Sequence, residues 1–377
     1  MSTNGIVVVG DSIAGCTAVR ELRALGHHGT ITMVGADADG CYARPPLSKH
    51  VLKTGTDTSD AWDLTDLKVD TVRGPATALD TDAREVILHD GGRVRYDALI
   101  IATGAGARRI ASPGRTGELV LRTLADARTL NSRLESARSA IVVGAGFLGM
   151  EIASVCAARG IPVTVVDVDA PLERLLGPFL STAITGRARS SAVDIRRVDT
   201  PVELIGDPVD GIRTSDGDLH ADVVVTCAGE VPTTEWLDGT AVGDHRGIGI
   251  DERCTTAVPD VYAAGDVAYL QGSAGRTPFW SSAVAQGKVA AASALGVETT
   301  VAPSDDYFWT EVLGLSVKVV GPLPLIGEPT VLEGSVDDGS ALLEWTHTDG
   351  PRTLVTYGIK KSVGLLRRMA AEEGTRP

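Results

Sequence analysis

Lys49, Glu151 and three aspartates at strand ends, Asp37, Asp167 and Asp266, are the side chains whose types and spacing could do chemistry. Lys49 closes the stretch Tyr42-Ala43-Arg44-Pro45-Pro46-Leu47-Ser48-Lys49. Two adjacent prolines fix two φ angles and remove two backbone donors. Arg44, preceding a proline, is pushed towards an extended conformation. Proline suits the first position of a helix, so a helix is predicted to start near Pro45 or Pro46, with Lys49 one turn in. Such a stretch aims an ammonium and a guanidinium at a single spot. The plain alternative is a proline-kinked surface helix carrying two solvated charges. Glu151 falls two residues into another helix, where favouring the helix dipole would by itself account for it.

Two βαβ units must position these groups. In the first, residues 5–9 form a short apolar run that reads as a buried parallel strand. Gly10-Asp11-Ser12-Ile13-Ala14-Gly15 follows, then an apolar-periodic helix to about Leu25 and a strand at 30–34. Glycines allow a tight turn and close packing, and the helix N-terminus faces a pyrophosphate. Ser12 replaces the middle glycine of the fingerprint. Asp37 stands 22 residues after Gly15, where a carboxylate accepts ribose hydroxyl protons. Asp11 puts a second carboxylate beside that pyrophosphate and should weaken binding unless it points away. In the second unit a strand at 140–143 leads into Gly144-Ala145-Gly146-Phe147-Leu148-Gly149, an intact G-x-G-x-x-G. The helix after it ends near Arg159, before Gly160 and Pro162. The next strand, 163–166, is closed by Asp167, 18 residues after Gly149. Asp167 favours an unphosphorylated ribose, hence NADH over NADPH; no arginine stands at 168–170, and Arg174 is the nearest.

The fingerprints lie 134 residues apart, so one chain holds two dinucleotides, the simplest pair being FAD and a nicotinamide. Three more apolar strands end in small residues: 97–104, closed by Thr103-Gly104, 223–227 before Ala228-Gly229, and the strand from Val261 that ends in Gly265-Asp266. A carboxylate at such a Gly-Asp end can sit beside the polyol of a flavin. The helix after Trp280, about 282–295, can point its N-terminus at the flavin pyrimidine edge. Residues 57–96 read as small antiparallel strands, with runs at 76–79 and 85–88, and 108–117 as a linker.

With 377 residues, 43% hydrophobic and 22% charged, the chain has room for two or three domains. No apolar run approaches the ~20 residues of a membrane span and no signal sequence precedes the first strand, so the expectation is a cytoplasmic protein. A net charge of −14 argues against broad nucleic-acid binding. Cysteines 16, 41, 156, 227 and 254 include no C-x-x-C pair and no metal-ligand spacing, so no metal is expected and the thiols read as reduced core residues.

On these residues the chain resembles the FAD-dependent, NADH-linked reductases of ferredoxins and rubredoxins. They belong to the two-dinucleotide-domain flavoprotein group that also holds the disulfide reductases and apoptosis-inducing factor. The likeness runs to about residue 310. Its most specific piece is Arg44-Pro45-Pro46-Leu47-Ser48-Lys49, supported by Thr234-Glu235-Trp236-Leu237 and the motifs above. The resemblance implies an α/β fold with two Rossmann-like domains, for FAD and NAD, plus a small α+β C-terminal domain. It divides the chain into FAD-binding 1–110 and 236–308, NAD-binding 111–235 and C-terminal 309–377. It implies that Gly10, Ser12, Gly15 and Asp37 bind the FAD adenosine diphosphate. Arg44 and Lys49 would lie against the flavin, with Ala102, Thr103, Gly104, Gly265, Asp266 and Trp280 also on FAD. Gly144, Gly146, Gly149, Asp167 and Gly229 would hold NADH. Glu151 would pair with Lys49 and border the nicotinamide, making these two the catalytic pair. The implied partner is a ferredoxin or rubredoxin, with no nucleic acid and no membrane, and the protein a monomer or homodimer.

Three features depart from that pattern. Phe279-Trp280-Ser281-Ser282 stands where the family has His-Trp-x-Asn, Glu230 replaces an apolar residue, and Asp11 adds its charge. In the C-terminal part strands are predicted at 316–320, 341–345 and 353–357 and a helix at 359–371. Arg352, Lys360, Lys361, Arg367 and Arg368 read either as a solvated face or as a patch that steers an acidic ferredoxin. Rival functions are a thiol or peroxide reductase using Cys41, a slow NADH-sensing redox flavoprotein, and direct reduction of a small organic substrate. Cys41 precedes the proline pair and has no C-x-x-x-x-C partner, which favours a structural role.

Overall fold

The computed structural model describes residues 5–56, 62–273, 275–347 and 352–371. They form two compact units, each assembled from separate pieces of chain. The first comprises Met1–Arg44, Thr58–Gly106 and Glu230–Asp305; the second comprises Pro45–Asp57, Ala107–Gly229 and Asp306–Pro377.

The first unit is built on a five-stranded parallel sheet in the order Val261–Ala263, Ala98–Ile101, Gly5–Val9, Thr30–Gly35, Asp70–Arg73. Gly5–Val9 and Ala98–Ile101 are apolar almost throughout because both faces of the parallel sheet are buried, in one core shared with Ile13–Ala24, Trp280–Ala294 and the meander residues Leu79, Val86 and Leu88. The helix Ile13–Ala24 packs against Trp280–Ala294; the crossing is close because Gly287 meets the backbone of Ala14. The predicted strands at 76–79 and 85–88 appear as Ala76–Asp80 and Glu85–Leu88, extended by Arg93–Arg95 into an antiparallel meander. Asp70–Arg73 was not foreseen as the fifth parallel strand: it is an edge strand, too polar for a core pattern.

The second unit repeats the parallel arrangement with Val193–Arg197, Val163–Asp167, Ala140–Val143 and Val223–Thr226. A three-stranded antiparallel meander, Glu203–Gly206, Val209–Thr214 and Gly217–His220, adjoins it. The C-terminal part is a five-stranded antiparallel sheet in the order Tyr307–Val312, Leu315–Val320, Thr353–Tyr357, Ser340–Trp345, Thr330–Ser335, with the helix Val363–Ala371. That helix starts four residues later than its apolar stripe suggested, although Leu366 is fully buried as the stripe requires. Among the described residues no helix is long and apolar enough to cross a membrane.

The Pro45-Pro46 segment belongs to the second unit. Pro46 enters in the helical region and Leu47–Val51 wind a single wide π turn before Leu52–Thr54. The π turn departs from the ordinary helix expected here; such turns are often found at functional positions.

Candidate functional site

In the second unit the wide turn presents Lys49 to Glu151, which sits in the first turn and a half of Phe147–Ala158. Lys49 Nζ lies 2.9 Å from Glu151 Oε1. The carboxylate is 5% exposed. Ser48 donates its hydroxyl to Oε2, and Thr310, on Tyr307–Val312, donates to Oε1 at 2.7 Å. Lys49 also reaches the carbonyl of Pro45 at 3.4 Å and stands 5.8 Å from the centre of the Trp309 ring. Three donors around one buried carboxylate keep its desolvation from being wholly unfavourable. The explanation of Glu151 as a mere helix-dipole residue is therefore incomplete. Ser48 and Thr310 were not among the expected site residues. Ser48 lay inside the most specific motif, and Thr310 carried no signal at all, its contribution being set by tertiary packing.

Beside this helix lies a cavity of roughly 480 Å³ lined by Gly144, Gly146, Asp167, Leu172, Arg174 and Gly229, among others. The middle and last fingerprint glycines do different things. A Cβ on Gly149 would meet Gly144 O at 1.9 Å, so helix and turn can touch only if it is glycine. A Cβ on Gly146 would meet nothing within 4 Å; that position faces open space at a helix N-terminus. Asp167 turns its carboxylate to the same place, accepting the Ala145 N–H at 2.6 Å and the Asp169 N–H at 3.2 Å. Leu172 adopts a left-handed conformation (φ 59°) and returns the chain to the cavity by donating its N–H to Ala145 O. This bend brings Arg174 back to Asp167, at 3.6 Å, and onto Asp169, so the arginine that looked remote in sequence lines the cavity.

In the first unit the glycine turn is the same: a Cβ on Gly15 would meet Gly10 O at 2.0 Å. Ser12 begins Ile13–Ala24 in an extended conformation without a side-chain cap, so first-turn N–H groups are left for an anion. Asp11 does not oppose one. It is 6% exposed and is paired with Arg73, whose Nη1 lies 2.9 Å from Oδ2. Burial nevertheless pushes its carboxyl above the usual range, with Arg73 acting against that. Asp37 accepts the Tyr42 hydroxyl at 2.6 Å and faces Arg44 at 3.7 Å. Ala102 is buried, and Thr103 donates its hydroxyl to Thr233 O at 2.9 Å, fixing the exit at Gly104. The Gly265 N–H donates to Gln286 Oε1 at 2.8 Å. The carbonyl of Asp266 accepts from Arg276 at 2.5 Å, and Trp280 opens its helix with 37% exposure. Arg44 ends one piece of the first unit, whereas Lys49 belongs to the second.

The departures have local explanations. Glu230 is paired with Arg276 at 2.7 Å. Ser281 and Ser282 both donate to Asp305 O, at 3.0 and 3.1 Å, and so tie down the chain after the helix. Of the basic C-terminal residues, Arg352 is spent on Glu344 and Lys361 on Glu333. The expectation of five reduced cysteines is corrected: Cys16 and Cys41 are joined by a disulfide, because folding brings the first helix turn against the loop after the second strand.

Comparison with known proteins agrees with this geometry. Residues 4–287 match the family described as pyridine nucleotide-disulphide oxidoreductase. Rhodocoxin reductase of Rhodococcus erythropolis is 35% identical, covering 89% of this chain and 82% of its own. The ferredoxin–NAD(+) reductase component of the p-cumate 2,3-dioxygenase system of Pseudomonas putida is 32% identical, covering 84% and 81%. A ferredoxin reductase from Rhodopseudomonas palustris superposes with a TM-score of 0.86 at 25% identity, over 94% of this chain and 91% of that one. The chain belongs to the pyridine nucleotide-disulphide oxidoreductase family, and both the resemblance to ferredoxin and rubredoxin reductases and the expected α/β fold are borne out.

Proposed function

We propose that this member of the pyridine nucleotide-disulphide oxidoreductase family oxidises NADH and delivers the electrons to a ferredoxin- or rubredoxin-type iron–sulfur protein. The observation that carries this reading is the doubled nucleotide turn. Each parallel sheet opens a helix on a glycine turn and ends its next strand beside a carboxylate, Asp37 in one and Asp167 in the other. The relatives' names, which join ferredoxin to NAD(+), support the acceptor class. Bound FAD would supply the chemistry that links a hydride donor to a one-electron iron–sulfur acceptor.

The residues fit that pair of cofactors. We assign FAD to 1–110 and 236–308, NADH to 111–235, and leave 309–377 as a small C-terminal domain. Gly10 and Gly15 would shape the turn around the pyrophosphate, Ser12 would open the helix N-terminus to it, and Asp37 would take the adenosine ribose. Arg44, Ala102, Thr103, Gly104, Gly265, Asp266 and Trp280 would hold the rest of FAD. Gly144, Gly146, Gly149 and Gly229 would cradle NADH. Asp167, already flanked by Asp169, would repel a 2′-phosphate, and Arg174 is engaged by both acids. Lys49 and Glu151 form the pair we assign to the transfer step. A fixed charge beside a developing one needs no reorganisation during reaction. Ser48 and Thr310 hold the carboxylate that holds Lys49.

Two competing readings lose their supporting feature. The altered 279–282 segment, the hint for direct reduction of an organic substrate, has structural work through Asp305. Cys41, read as the single redox thiol of a disulfide or peroxide reductase, is not single but paired with Cys16. We place the protein in the cytoplasm, where NADH and iron–sulfur carriers are supplied. Steady-state NADH oxidation with cytochrome c as terminal acceptor tests the reading. Turnover should depend on added ferredoxin or rubredoxin; equal rates without either would refute it.

A further inference from the structure

Three of the five cysteines are suppressed as thiols by burial. Cys156 is pushed up to about 11, and Cys227 and Cys254 to about 12. Cys16 and Cys41 are set apart by their disulfide, which spans 25 residues of sequence. Cys16 is fully buried in the first turn of Ile13–Ala24, directly after the fingerprint Gly15. Cys41 is only partly buried and precedes Tyr42.

The loop that Cys41 occupies is folded around Asp37. The Gly40 N–H donates to Asp37 O at 3.1 Å, the Asp39 N–H to Oδ1 at 3.1 Å, and the Tyr42 hydroxyl to Oδ2 at 2.6 Å. Toward the Ile13–Ala24 helix the loop has a weaker tie beside the covalent one. The Trp62 N–H donates to Cys41 O at 2.9 Å, and the Trp62 ring lies under the Arg20 guanidinium, 4.3 Å from its centre. The disulfide therefore joins the helix whose N-terminus faces the dinucleotide to the loop carrying its ribose acid.

We propose that Cys16 and Cys41 form an exchange site for low-molecular-weight thiols and disulfides, and that closing the bond latches the 37–44 loop and slows loss of FAD. The second part rests on the assignment of FAD to this unit. Exchange begins at Cys41, the more accessible sulfur. Its thiolate attacks one sulfur of a small disulfide RSSR, breaking the S–S bond, releasing RS⁻ and leaving Cys41–S–SR. The Cys16 thiolate then attacks Cys41 Sγ and expels the second RS⁻. The two thiol protons end on the two leaving thiolates. Two protein thiols are oxidised and one RSSR is reduced to two RSH. Reopening is the reverse, starting with a thiolate on Cys41.

The test uses the FAD-loaded full chain equilibrated with oxidised or reduced glutathione. Acid quench, unfolding and alkylation should count three reactive thiols in the first sample and five in the second, with peptide mapping placing the missing pair at Cys16 and Cys41. FAD release from the same samples, timed by the rise of flavin fluorescence on dilution, should be at least about tenfold slower in the oxidised one. Cys41→Ser should release FAD at the reduced rate under both conditions. Five reactive thiols in both samples would overturn the exchange site. A three-to-five change with equal release rates would overturn the latch alone. A chain that binds no FAD in either state would overturn the FAD assignment and the latch with it, while the thiol count would still judge the exchange site.

Discussion

Removing Lys49 tests whether the charged pair at the centre of the second unit is one object or two neighbours. Lys49→Met deletes the 2.9 Å contact to Glu151 and leaves a carboxylate that is 5% exposed, with only the Ser48 and Thr310 hydroxyls. Breaking a buried pair from one side costs ~3–5 kcal/mol, and two remaining donors put this case near 3. Glu151→Gln strands an ammonium instead. At 15% exposure it can reach water more readily, so about 2 kcal/mol is expected. The double variant buries no lone charge and should lose about 2.5 kcal/mol, where additivity would give about 5. The coupling of about 2.5 kcal/mol is roughly 70-fold in the unfolding equilibrium. The assay is urea unfolding of all four proteins at the same saturating FAD, followed by tryptophan fluorescence. Additivity within about 0.5 kcal/mol would refute the reasoning, because independent sites add to that accuracy.

Thr310→Val removes one donor to the ionised Glu151 and should cost about 1.5–3 kcal/mol in the same assay, with a slower flavin reduction by NADH in stopped flow. Gly149→Ala should lower the melting temperature sharply, since its Cβ would stand 1.9 Å from Gly144 O. Gly146→Val, facing open space, should leave the melting temperature within a few degrees yet raise the KM for NADH on the order of tenfold or more. Asp167→Ala should weaken NADH more than NADPH, lowering their kcat/KM ratio on the order of tenfold. Asp11 titrates higher in the fold than unfolded, so its ionisation opposes folding at neutral pH and the cost is relieved as pH falls. Asp11→Asn should thus be at least as stable as the parent at pH 7. Urea midpoints across pH should show that difference shrinking below the folded pKa and gone below 3.8.

The parallel framework was legible because a buried parallel strand is a continuous apolar run, and seven of its strands end in small or acidic residues at the expected places. Asp37 and Asp167 were singled out by their spacing from the glycine turns, and the Arg44–Lys49 stretch by its paired prolines and the family resemblance. What could not be read were contacts made across long sequence separations. Thr310 reaches Glu151 from 159 residues away, and Arg73 reaches Asp11 from 62. Neither has a local pattern. Asp70–Arg73 was hidden because an edge strand can be polar, and Arg174 because a left-handed Leu172 turns the chain back. The Cys16–Cys41 bond was missed because its spacing matches no redox or metal motif.

Anaerobic titration of the FAD-loaded protein with NADH, followed in the visible spectrum, tests the central claim most directly. One equivalent of NADH should bleach the flavin bands rapidly, NADPH should do so far more slowly, and oxidised ferredoxin or rubredoxin added afterwards should restore the colour. A flavin that stays oxidised in excess NADH would contradict the account.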